Sequence, residues 1–548
     1  MMRLTLLLLF AILSTNLWAR QTQQNHVPRE VVHVHSAQSI AVAGERIPLS
    51  IRITMDQAPS SSNFAYADLI SRNGKRFGGA VIPLDKGKAN AYLTIPENTP
   101  SDHYLLRVYS RYAASINDAS QYHQELISVI NPAIPPAPKN TEKSFGGKWD
   151  GSTATNSIAI QPESTRLTLG ERSSLTVSAS PNSHVSISIS RKNPFLDDQR
   201  FAPALAGTDT GANTADLLPE LRGHIIKGTL TEKKADTTQL YFLSAHGDQS
   251  ALYLGTANKK GEIYFDLGAL KHYEFLLLQS DQDSVPFGLN LQLPFAEAPS
   301  SETLNFPPLE INEKDKAILD NLVLSASTTT YFLKPTQKKQ VPIVTGYAPD
   351  RGYNLDDYNR FEDLATTLKE YIPTVLVRKN KKKFFFKLTN IPERSVFDGN
   401  PLILVDGMPV FNSHKLAQFS PENIKRAEII NRQFYILSYG FDGILSFTSY
   451  ENDFGGYPIP EHALYLEYPQ IQQPVDWQFT PEKKDEHFPD FRSILLWKDN
   501  VQLDKEGKIA LPFSASQIPG TYEIKVSLIT PDGRQVWTTR ELEVEDGI

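Results

Sequence analysis

The sequence contains no cysteine among its 548 residues. This absence excludes disulfide bonds, zinc–thiolate sites, a cysteine nucleophile and lipid attachment through an amino-terminal cysteine. A chain of this length can bury several hydrophobic cores and therefore does not need disulfides for stability.

The sequence also lacks a second long apolar run and an excess of positive charge. No stretch after residue 19 approaches the roughly 20 apolar residues of a membrane-spanning helix, so we expect no transmembrane segment. The formal net charge is −7 and the pI is about 6.0, which argues against a nucleic-acid partner. The content of 40% hydrophobic and 21% charged residues is ordinary, and it predicts a globular protein of several domains.

The first residues of the chain have the features of a secretory signal peptide. Arg3 precedes the apolar run LTLLLLFAIL, and Ala19 occupies a position suited to cleavage. This order of charged, apolar and small residues predicts a signal peptide over residues 1–19. We therefore expect an exported protein that is periplasmic or associated with the outer membrane, with the cell surface as a further location.

Alternating apolar and polar residues predict a mainly β protein with tandem immunoglobulin-like β-sandwiches. Val185, Ile187 and Ile189 alternate with serines, for example, whereas PAIPPAPKN reads as a stiff linker. The predicted units are a sandwich at 30–131, a linker at 132–150, a second sandwich at 151–210, a β-rich domain at 211–300, a linker or β segment at 301–345, a small α/β domain at 346–458 and a carboxy-terminal sandwich at 459–548.

Two internal repeats relate the sandwiches to one another. GERIPLSIRI at 44–53 aligns with GERSSLTVSA at 170–179. LDKGKANAYLTIPENTPSDHYLLRV at 84–108 aligns with LDKEGKIALPFSASQIPGTYEIKV at 503–526. Because each repeat shares a turn and the strand that follows it, we predict at least three related sandwich modules.

The α/β domain is predicted from a change of pattern between residues 350 and 450. Apolar residues recur at helical spacing over 355–371 and predict a helix that ends before Pro373. TVLVRKN and KKFFFKL predict a hairpin, and PLILVDGMPV predicts a buried strand with a turn at Asp406-Gly407. SPENIKRAEII predicts a second helix with Ser420 as its N-cap and Pro421 at its first position.

The order of these motifs resembles a known domain. Asp406-Gly407, the SPENIKRAEII segment, Tyr439-Gly440 and Asp442-Gly443-Ile444 resemble, over residues 398–450, the plug domain of SusC-type TonB-dependent receptors. The Gly-Glu turn at 44–45 and the SDHYLLRVYSRY segment resemble macroglobulin (MG2)-like domains. Together they resemble a family of exported Gram-negative envelope proteins, in which macroglobulin-like β-sandwiches precede a plug-like domain. The resemblance implies an outer-membrane β-barrel or associated envelope proteins as partners.

Two departures separate this sequence from both parent activities. Only 138 residues follow Val410, whereas a barrel of about 22 strands of about 10 residues each needs many more. We therefore do not expect this chain to be a transporter. The protease-trapping thioester of macroglobulins requires a cysteine, which this sequence does not contain. The resemblance thus implies the modules and not the parent activities.

Five cations lie close together in the predicted hairpin: Arg378, Lys379, Lys381, Lys382 and Lys383. They precede a run of three phenylalanines. One interpretation is a hairpin tip that contacts anionic lipid head groups or an acidic partner. The other is a solvated turn followed by a core strand. The sequence leaves both interpretations open.

Four further residues complete the set of interaction candidates. Asp406 and Gly407 fit a tight turn after a buried strand, and any contact with a partner would be additional. Tyr439 and Gly440 belong to the plug-like pattern. They lie in an aromatic-rich half of the sequence that forms either an interface or part of a core.

Sequence motifs of known catalytic sites are absent. There is no HExxH, GxSxG, P-loop or glycine-rich dinucleotide motif. His33 and His35 would point to the same side of a strand, but a metal site needs further ligands. We therefore predict neither a catalytic residue nor a cofactor or metal.

The sequence predicts a non-catalytic accessory or scaffold protein of the cell envelope, which acts as a docking subunit of an outer-membrane protein complex. Two alternatives remain at this stage. The first is a secreted glycan- or peptide-processing hydrolase whose carboxylates come from loops between sandwiches. The second is a surface adhesin or the cargo of a secretion system.

Overall fold

Strands form most of the regular structure in the computed structural model, which confirms a mainly β fold. The predicted signal peptide and most of the linker at 132–150 lie outside the described residues. The structure describes residues 28–56, 58–116, 121–136, 157–181, 183–196, 217–231, 236–247, 250–268, 270, 272–281, 285–299, 304, 307–332, 334–335, 344–345, 347–473, 477–478, 490–530 and 535–547.

The first sandwich comprises residues 30–131. One sheet contains β1, β3, β4 and β7, the other has the order β2-β9-β8-β5-β6, and alternating apolar residues fill the space between them. Its elements are β1 (Glu30–Ser36), β2 (Ile40–Val42), β3 (Arg46–Met55), β4 (Ala58–Pro59), β5 (Phe64–Ser71), β6 (Arg76–Pro83), β7 (Lys88–Thr94), β8 (Asp102–Tyr109), the short helix α1 (Arg111–Ser115) and β9 (His123–Ile130).

The chain then continues through strands of two further sandwiches and a long helix. These are β10 (Ala159–Pro162), β11 (Arg166–Thr168), β12 (Arg172–Ser178), β13 (His184–Arg191), β14 (Ile225–Leu230), β15 (Leu240–His246), β16 (Ser250–Thr256), β17 (Glu262–Asp266), β18 (Phe275–Ser280), β19 (Leu289–Gln292), α2 (Lys316–Phe332), β20 (Lys334–Pro335) and β21 (Val344–Thr345).

Residues 350–457, hereafter the inserted unit, form a sheet of their own with the order β22-β28-β31-β26-β27. The elements are β22 (Arg351–Asn354), α3 (Leu364–Tyr371), β23 (Val375–Asn380), β24 (Lys383–Asn390), β25 (Ser395–Val396), β26 (Leu402–Val405), β27 (Met408–Pro409), α4 (Ser413–Ala417), β28 (Ile424–Ile430), β29 (Phe434–Ile436), β30 (Tyr439–Phe441) and β31 (Ile444–Ser449). The chain then returns to the sandwiches in β32 (Leu464–Leu466), β33 (Trp477–Gln478), β34 (Ile494–Gln502), β35 (Lys508–Ser514), β36 (Gly520–Ile529) and β37 (Gln535–Glu545).

The second sandwich combines two segments that are distant in sequence. β10, β12 and β35 form one sheet, and β11, β37, β36, β13 and β34 form the other, with a single core between them. The modules predicted at 151–210 and 459–548 are therefore two halves of one sandwich. The prediction that these two segments are separate modules was wrong, because the sequence repeats do not reveal which distant strands pair.

The first two sandwiches have the same strand order. β1-β3-β7 corresponds to β10-β12-β35, and β2-β9-β8-β5-β6 corresponds to β11-β37-β36-β13-β34. β5 and β6 are joined by the short turn 72–75, whereas residues 192–493 separate β13 from β34. Everything between the two halves of the second sandwich thus occupies the place of one hairpin turn.

The long insertion into the second sandwich forms a third sandwich, which is itself interrupted by the inserted unit. The third sandwich pairs β17, β14 and β19 in one sheet and β21, β16, β15, β18 and β32 in the other. The inserted unit leaves this sandwich after β21 and returns to it at β32. Its sheet packs one face on the host sheet through apolar side chains, which are Leu240, Phe242, Leu254, Leu402, Leu404, Ile430 and Ile444. The other face is covered by α3 and α4.

Both helices predicted in the inserted unit need correction. Residues 355–371 contain a 3₁₀ turn at Leu355–Asp357, and the helix begins only at Leu364, where Asp363 accepts a hydrogen bond from the Thr366 amide at 2.7 Å. The segment 420–430 is no helix but ends in strand β28, which pairs with β22 and β31. Pairing on both sides outweighs the helix propensity of its Glu, Lys, Arg and Ala residues.

Candidate interaction surfaces

The predicted turn at Asp406-Gly407 is buried inside the protein. It joins β26 to β27, and both residues have positive φ angles of 47° and 81°, as the tight hairpin turn requires. The Asp406 carboxylate accepts hydrogen bonds from the Ser449 amide at 2.8 Å, the Ser449 hydroxyl at 2.6 Å and the Phe454 amide at 2.8 Å. Burial raises the pKa of Asp406, and these three donors oppose that rise.

This turn faces the host sandwich. A Cβ atom on Gly407 would lie 3.1 Å from the Ser250 side chain. Asn452 donates to the Gly247 carbonyl oxygen at 2.6 Å and accepts from the Ser250 hydroxyl at 3.2 Å. Asp406 and Gly407 are therefore buried where the inserted unit meets its host, and Asn452 forms the hydrogen bonds across this contact. An external partner has no access to the two turn residues.

The five predicted cations lie together at the end of the β23–β24 hairpin. Asn380 pairs with Lys383, so the two residues of the turn are Lys381 and Lys382, with φ angles of 47° and 68°. The side chains of all five cations are exposed, namely Arg378, Lys379, Lys381, Lys382 and Lys383. None of them forms an ion pair within the described part of the chain.

The two faces of this hairpin differ in character. Val377 lies opposite Phe386, and both pack toward the core between the sheet and the helices. The outward face carries Arg378 opposite Phe385 and, two positions further from the tip, Leu376 opposite Lys387. The hairpin is thus anchored by its inner face and presents a basic outer face with one half-buried aromatic ring.

Tyr439 and Gly440 lie on a second hairpin, formed by β29 and β30, which pairs with no other described strand. The inner side chains pack on the apolar contact between the inserted unit and its host, and these are Phe434, Ile436, Tyr439 and Phe441. Tyr435 lies opposite Gly440, and a Cβ atom on that glycine would lie 3.0 Å from the Tyr435 ring. Glycine at 440 therefore gives the ring of Tyr435 its place across the strand pair.

The tip of the β29–β30 hairpin exposes two large apolar side chains. Leu437 is 77% exposed and Tyr435 is 62% exposed. Leu437 also has a φ angle of 54°, which is unfavourable for a residue with a branched side chain. Tyr435 belongs to the aromatic-rich part of the sequence for which either an interface or a core was predicted. The exposure of Leu437 was not predicted.

The described residues contain no group of three or more His, Asp or Glu side chains arranged to hold a metal ion. His33 and His35 are buried where the first sandwich meets the second, and the His35 Nε2 atom lies 2.9 Å from the Ser188 hydroxyl. A cleft of about 180 Å³ adjoins them. Its Asp499 side chain has a pKa raised by burial, against the opposing charges of Arg52 and Lys88.

No helix in the described residues is long and apolar enough to cross a bilayer. Comparison with protein-family models finds no match, and comparison with curated proteins finds none either.

Several solved structures show a distant similarity. Salmonella α2-macroglobulin mutant Y1175G is 8% identical, with 94% of this chain and 39% of that chain covered and a TM-score of 0.23. Escherichia coli α2-macroglobulin activated by porcine elastase is 10% identical, with 94% and 44% covered and a TM-score of 0.24. Domains 5–6 of the S-layer protein SbsC are 9% identical, with 48% and 97% covered and a TM-score of 0.15.

This chain spans about two fifths of the length of the α2-macroglobulins to which it is similar. TM-scores this low support no argument about their shared fold or function. The evidence for the sandwiches therefore comes from strand pairing within this chain.

Proposed function

We propose that this protein is a non-catalytic accessory or scaffold subunit of the Gram-negative cell envelope, in which the inserted unit docks onto an outer-membrane β-barrel or an associated envelope protein. The signal-peptide pattern of residues 1–19 supports export. The tandem sandwiches support a scaffold role, because the third sandwich carries the inserted unit between two of its own strands.

The observation that carries the proposal is the geometry of the β29–β30 hairpin. Its inner side chains are held against the host sandwich, while Leu437 and Tyr435 project outward. Tyrosine is enriched among the residues that dominate binding energies at protein interfaces. A contact element that is already rigid loses little conformational entropy on binding. The strained turn at Leu437 is consistent with selection for contact and not for stability.

The proposal is tested by affinity purification from detergent-solubilised envelopes with a carboxy-terminal tag and mass spectrometry. We expect a stoichiometric outer-membrane protein to co-purify with the unmodified protein. Tyr435→Ser combined with Leu437→Ser should abolish that co-purification, and because both side chains are exposed, the thermal unfolding midpoint should change little.

A matched control separates docking from general surface hydrophobicity. Leu293 is 50% exposed and lies in the third sandwich, outside the inserted unit. Leu293→Ser should leave co-purification intact. A protein that purifies alone, or whose partner is retained by the double variant, contradicts the proposed docking site. Purification without any partner would redirect attention to glycan or peptide hydrolysis.

A further inference from the structure

Positively charged side chains are clustered on the β23–β24 hairpin of the inserted unit. Residues 371–392 contain six Lys and Arg side chains and no Asp or Glu, in a chain whose net charge is −7. The six cations are Arg378, Lys379, Lys381, Lys382, Lys383 and Lys387. Like charges on neighbouring positions of a hairpin repel one another and weaken it. Lys387 donates to the Asp398 and Gly399 carbonyl oxygens, and Lys379 lies over the Phe384 ring. The three lysines at the tip, Lys381, Lys382 and Lys383, have no such contact with described residues, so their placement does not serve the stability of the fold.

The backbone conformation at the tip of the hairpin also indicates that these lysines do not serve stability. Lys381 and Lys382 both occupy the left-handed region. A turn with two such residues strongly favours Asn-Gly, because side chains other than Asn and Asp are unfavourable there. Two lysines at these positions are thus poor choices for the turn, and their exposed ammonium groups form no ion pair with described residues.

The proportion of lysine to arginine in this cluster indicates whether its binding partner is an acidic protein or a lipid surface. Four of the five tip cations are lysines. Arginine is enriched at protein interfaces and lysine is depleted there, since the guanidinium group binds carboxylates in a fixed bidentate geometry. Clustered lysines act as mobile point charges and are typical of binding to anionic membranes, where no fixed register is required.

We propose that the tip and outer face of the β23–β24 hairpin bind an anionic phospholipid surface. Lys381, Lys382 and Lys383 contact lipid phosphate groups, and Arg378 adds charge from the outer face. Phe385, which lies opposite Arg378, is placed to reach the interfacial region, where aromatic rings are favoured. This inference goes beyond the docking function and does not depend on it, because purified protein and lipid suffice to test it.

The experiment is co-sedimentation of the full mature chain with vesicles. Phosphatidylcholine vesicles that contain phosphatidylglycerol are compared with vesicles of phosphatidylcholine alone. We expect binding only to the anionic vesicles. Raising the ionic strength from about 0.15 M to about 1 M shortens the Debye length from about 8 Å to about 3 Å and should release the protein.

The decisive variant is Lys381→Asn combined with Lys382→Gly. It removes two charges and installs the residues that the turn geometry favours. We expect the thermal unfolding midpoint of this variant to rise, while its partition onto anionic vesicles falls about 25-fold, that is about fivefold for each lysine. Simple unfolding cannot produce this combination of greater stability and weaker binding.

Lys259→Gln combined with Lys260→Gln provides the matched control. These lysines are also adjacent, exposed and in a turn, but they belong to the third sandwich and lie next to Glu262. The control should bind anionic vesicles as the unmodified protein does. Equal losses in both double variants would show a general charge effect and overturn the proposal. Equal binding to both vesicle types, or tighter binding to soluble polyglutamate than to vesicles, would also overturn it.

Discussion

The first and second sandwiches share one strand order but differ in how the chain builds them. The first is continuous, whereas the second is assembled from residues 159–191 and 494–545. Both contain the same turn after their second strand, in which Gly44 or Gly170 has positive φ and the following glutamate accepts a hydrogen bond from an amide three residues earlier. A sandwich therefore tolerates a very long insertion at a position where a short hairpin turn is sufficient, because the entropy cost of closing a loop grows slowly with its length.

One pair of corresponding positions forms different contacts in the two sandwiches. Asp68 on β5 lies opposite Arg107 on β8, and the corresponding residues of the second sandwich are Ser188 and Lys525. Asp68 and Arg107 form an ion pair within the first sandwich. Ser188 and Lys525 instead reach across to the first sandwich, where they contact His35 and Glu125.

The largest predicted effect breaks the ion pair of the first sandwich. Asp68 is fully buried and accepts from Arg107 at 2.6 and 2.8 Å. Asp68→Asn leaves the buried guanidinium without its counter-ion and should lower the free energy of unfolding by about 3–5 kcal/mol. Denaturant titration measures this loss. The matched change Ser188→Ala should cost about 1 kcal/mol, and equal costs at the two positions would contradict the assigned difference.

The next effect concerns the contact between the sandwiches. Burial raises the pKa of Glu125, but Lys525 and His123, at 4.0 and 3.8 Å from its carboxylate oxygens, outweigh burial and hold that pKa well below its usual range. Because the folded-state pKa is depressed, this contribution is present above the unfolded pKa of about 4.3. It is lost as the pH falls through the folded value.

Glu125→Gln should therefore destabilise the contact by about 1–3 kcal/mol at pH 7, and the penalty should shrink as the pH falls well below 4.3. Thermal unfolding as a function of pH checks this prediction. The Asp499→Asn variant is the counterpart, since burial raises the pKa of Asp499. Asp499→Asn should be neutral or stabilising at pH 7. A destabilisation by Glu125→Gln that is the same at every pH would contradict the depressed pKa of Glu125.

A smaller and equal effect is expected at the two corresponding tyrosines. The Tyr104 hydroxyl donates to the Pro100 carbonyl oxygen at 2.8 Å, and the Tyr522 hydroxyl donates to the Ile518 carbonyl oxygen at 3.1 Å. Each bond spans four residues and closes the same corner. Tyr104→Phe and Tyr522→Phe should each lower the free energy of unfolding by about 1 kcal/mol. A large effect at only one of them would weaken the structural correspondence.

The smallest effect is expected at the repeated Gly-Glu turns. Glu45 accepts from the Val42 amide at 2.7 Å, and Glu171 accepts from the Thr168 amide at 2.7 Å. Glu171 is exposed, so solvent screens its contribution. Glu45→Gln should lower the unfolding midpoint slightly, and Glu171→Gln should lower it less. Thermal unfolding measures both changes. A larger decrease for Glu171→Gln than for Glu45→Gln would contradict the expectation that the less exposed glutamate contributes more to stability.

Sequence patterns predicted the local structure better than the long-range pairing. The alternation in HVSISIS predicted β13, and the basic turn predicted the β23–β24 hairpin. The partner of β13 could not be predicted, because β34 lies beyond both insertions and periodicity carries no information on distant pairing. Strand β28 was misread because helix propensity is a local property that pairing with two neighbours overrides.

The candidate sites show the same limit. The sequence predicted the turn at Asp406-Gly407 and the exposed cluster at Lys381-Lys382. The burial of this turn against the host sandwich depends on Ser250, which is far away in sequence and lies next to Gly407. Leu437 escaped prediction because its exposure follows from the packing of the inner hairpin face and not from its own neighbours in sequence.

The most direct test of the nested architecture is excision. Residues 192–493 are replaced by Arg-Asn-Gly-Lys, the sequence of the corresponding turn at 72–75, in a chain that begins at residue 28. Circular dichroism and thermal unfolding then report whether both sandwiches fold. We expect a cooperative unfolding transition and a circular dichroism spectrum with the strand content of both sandwiches, because each strand of the second sandwich retains its partners within the two sheets. A chain that lacks cooperative unfolding, or in which only the first sandwich folds, would contradict it.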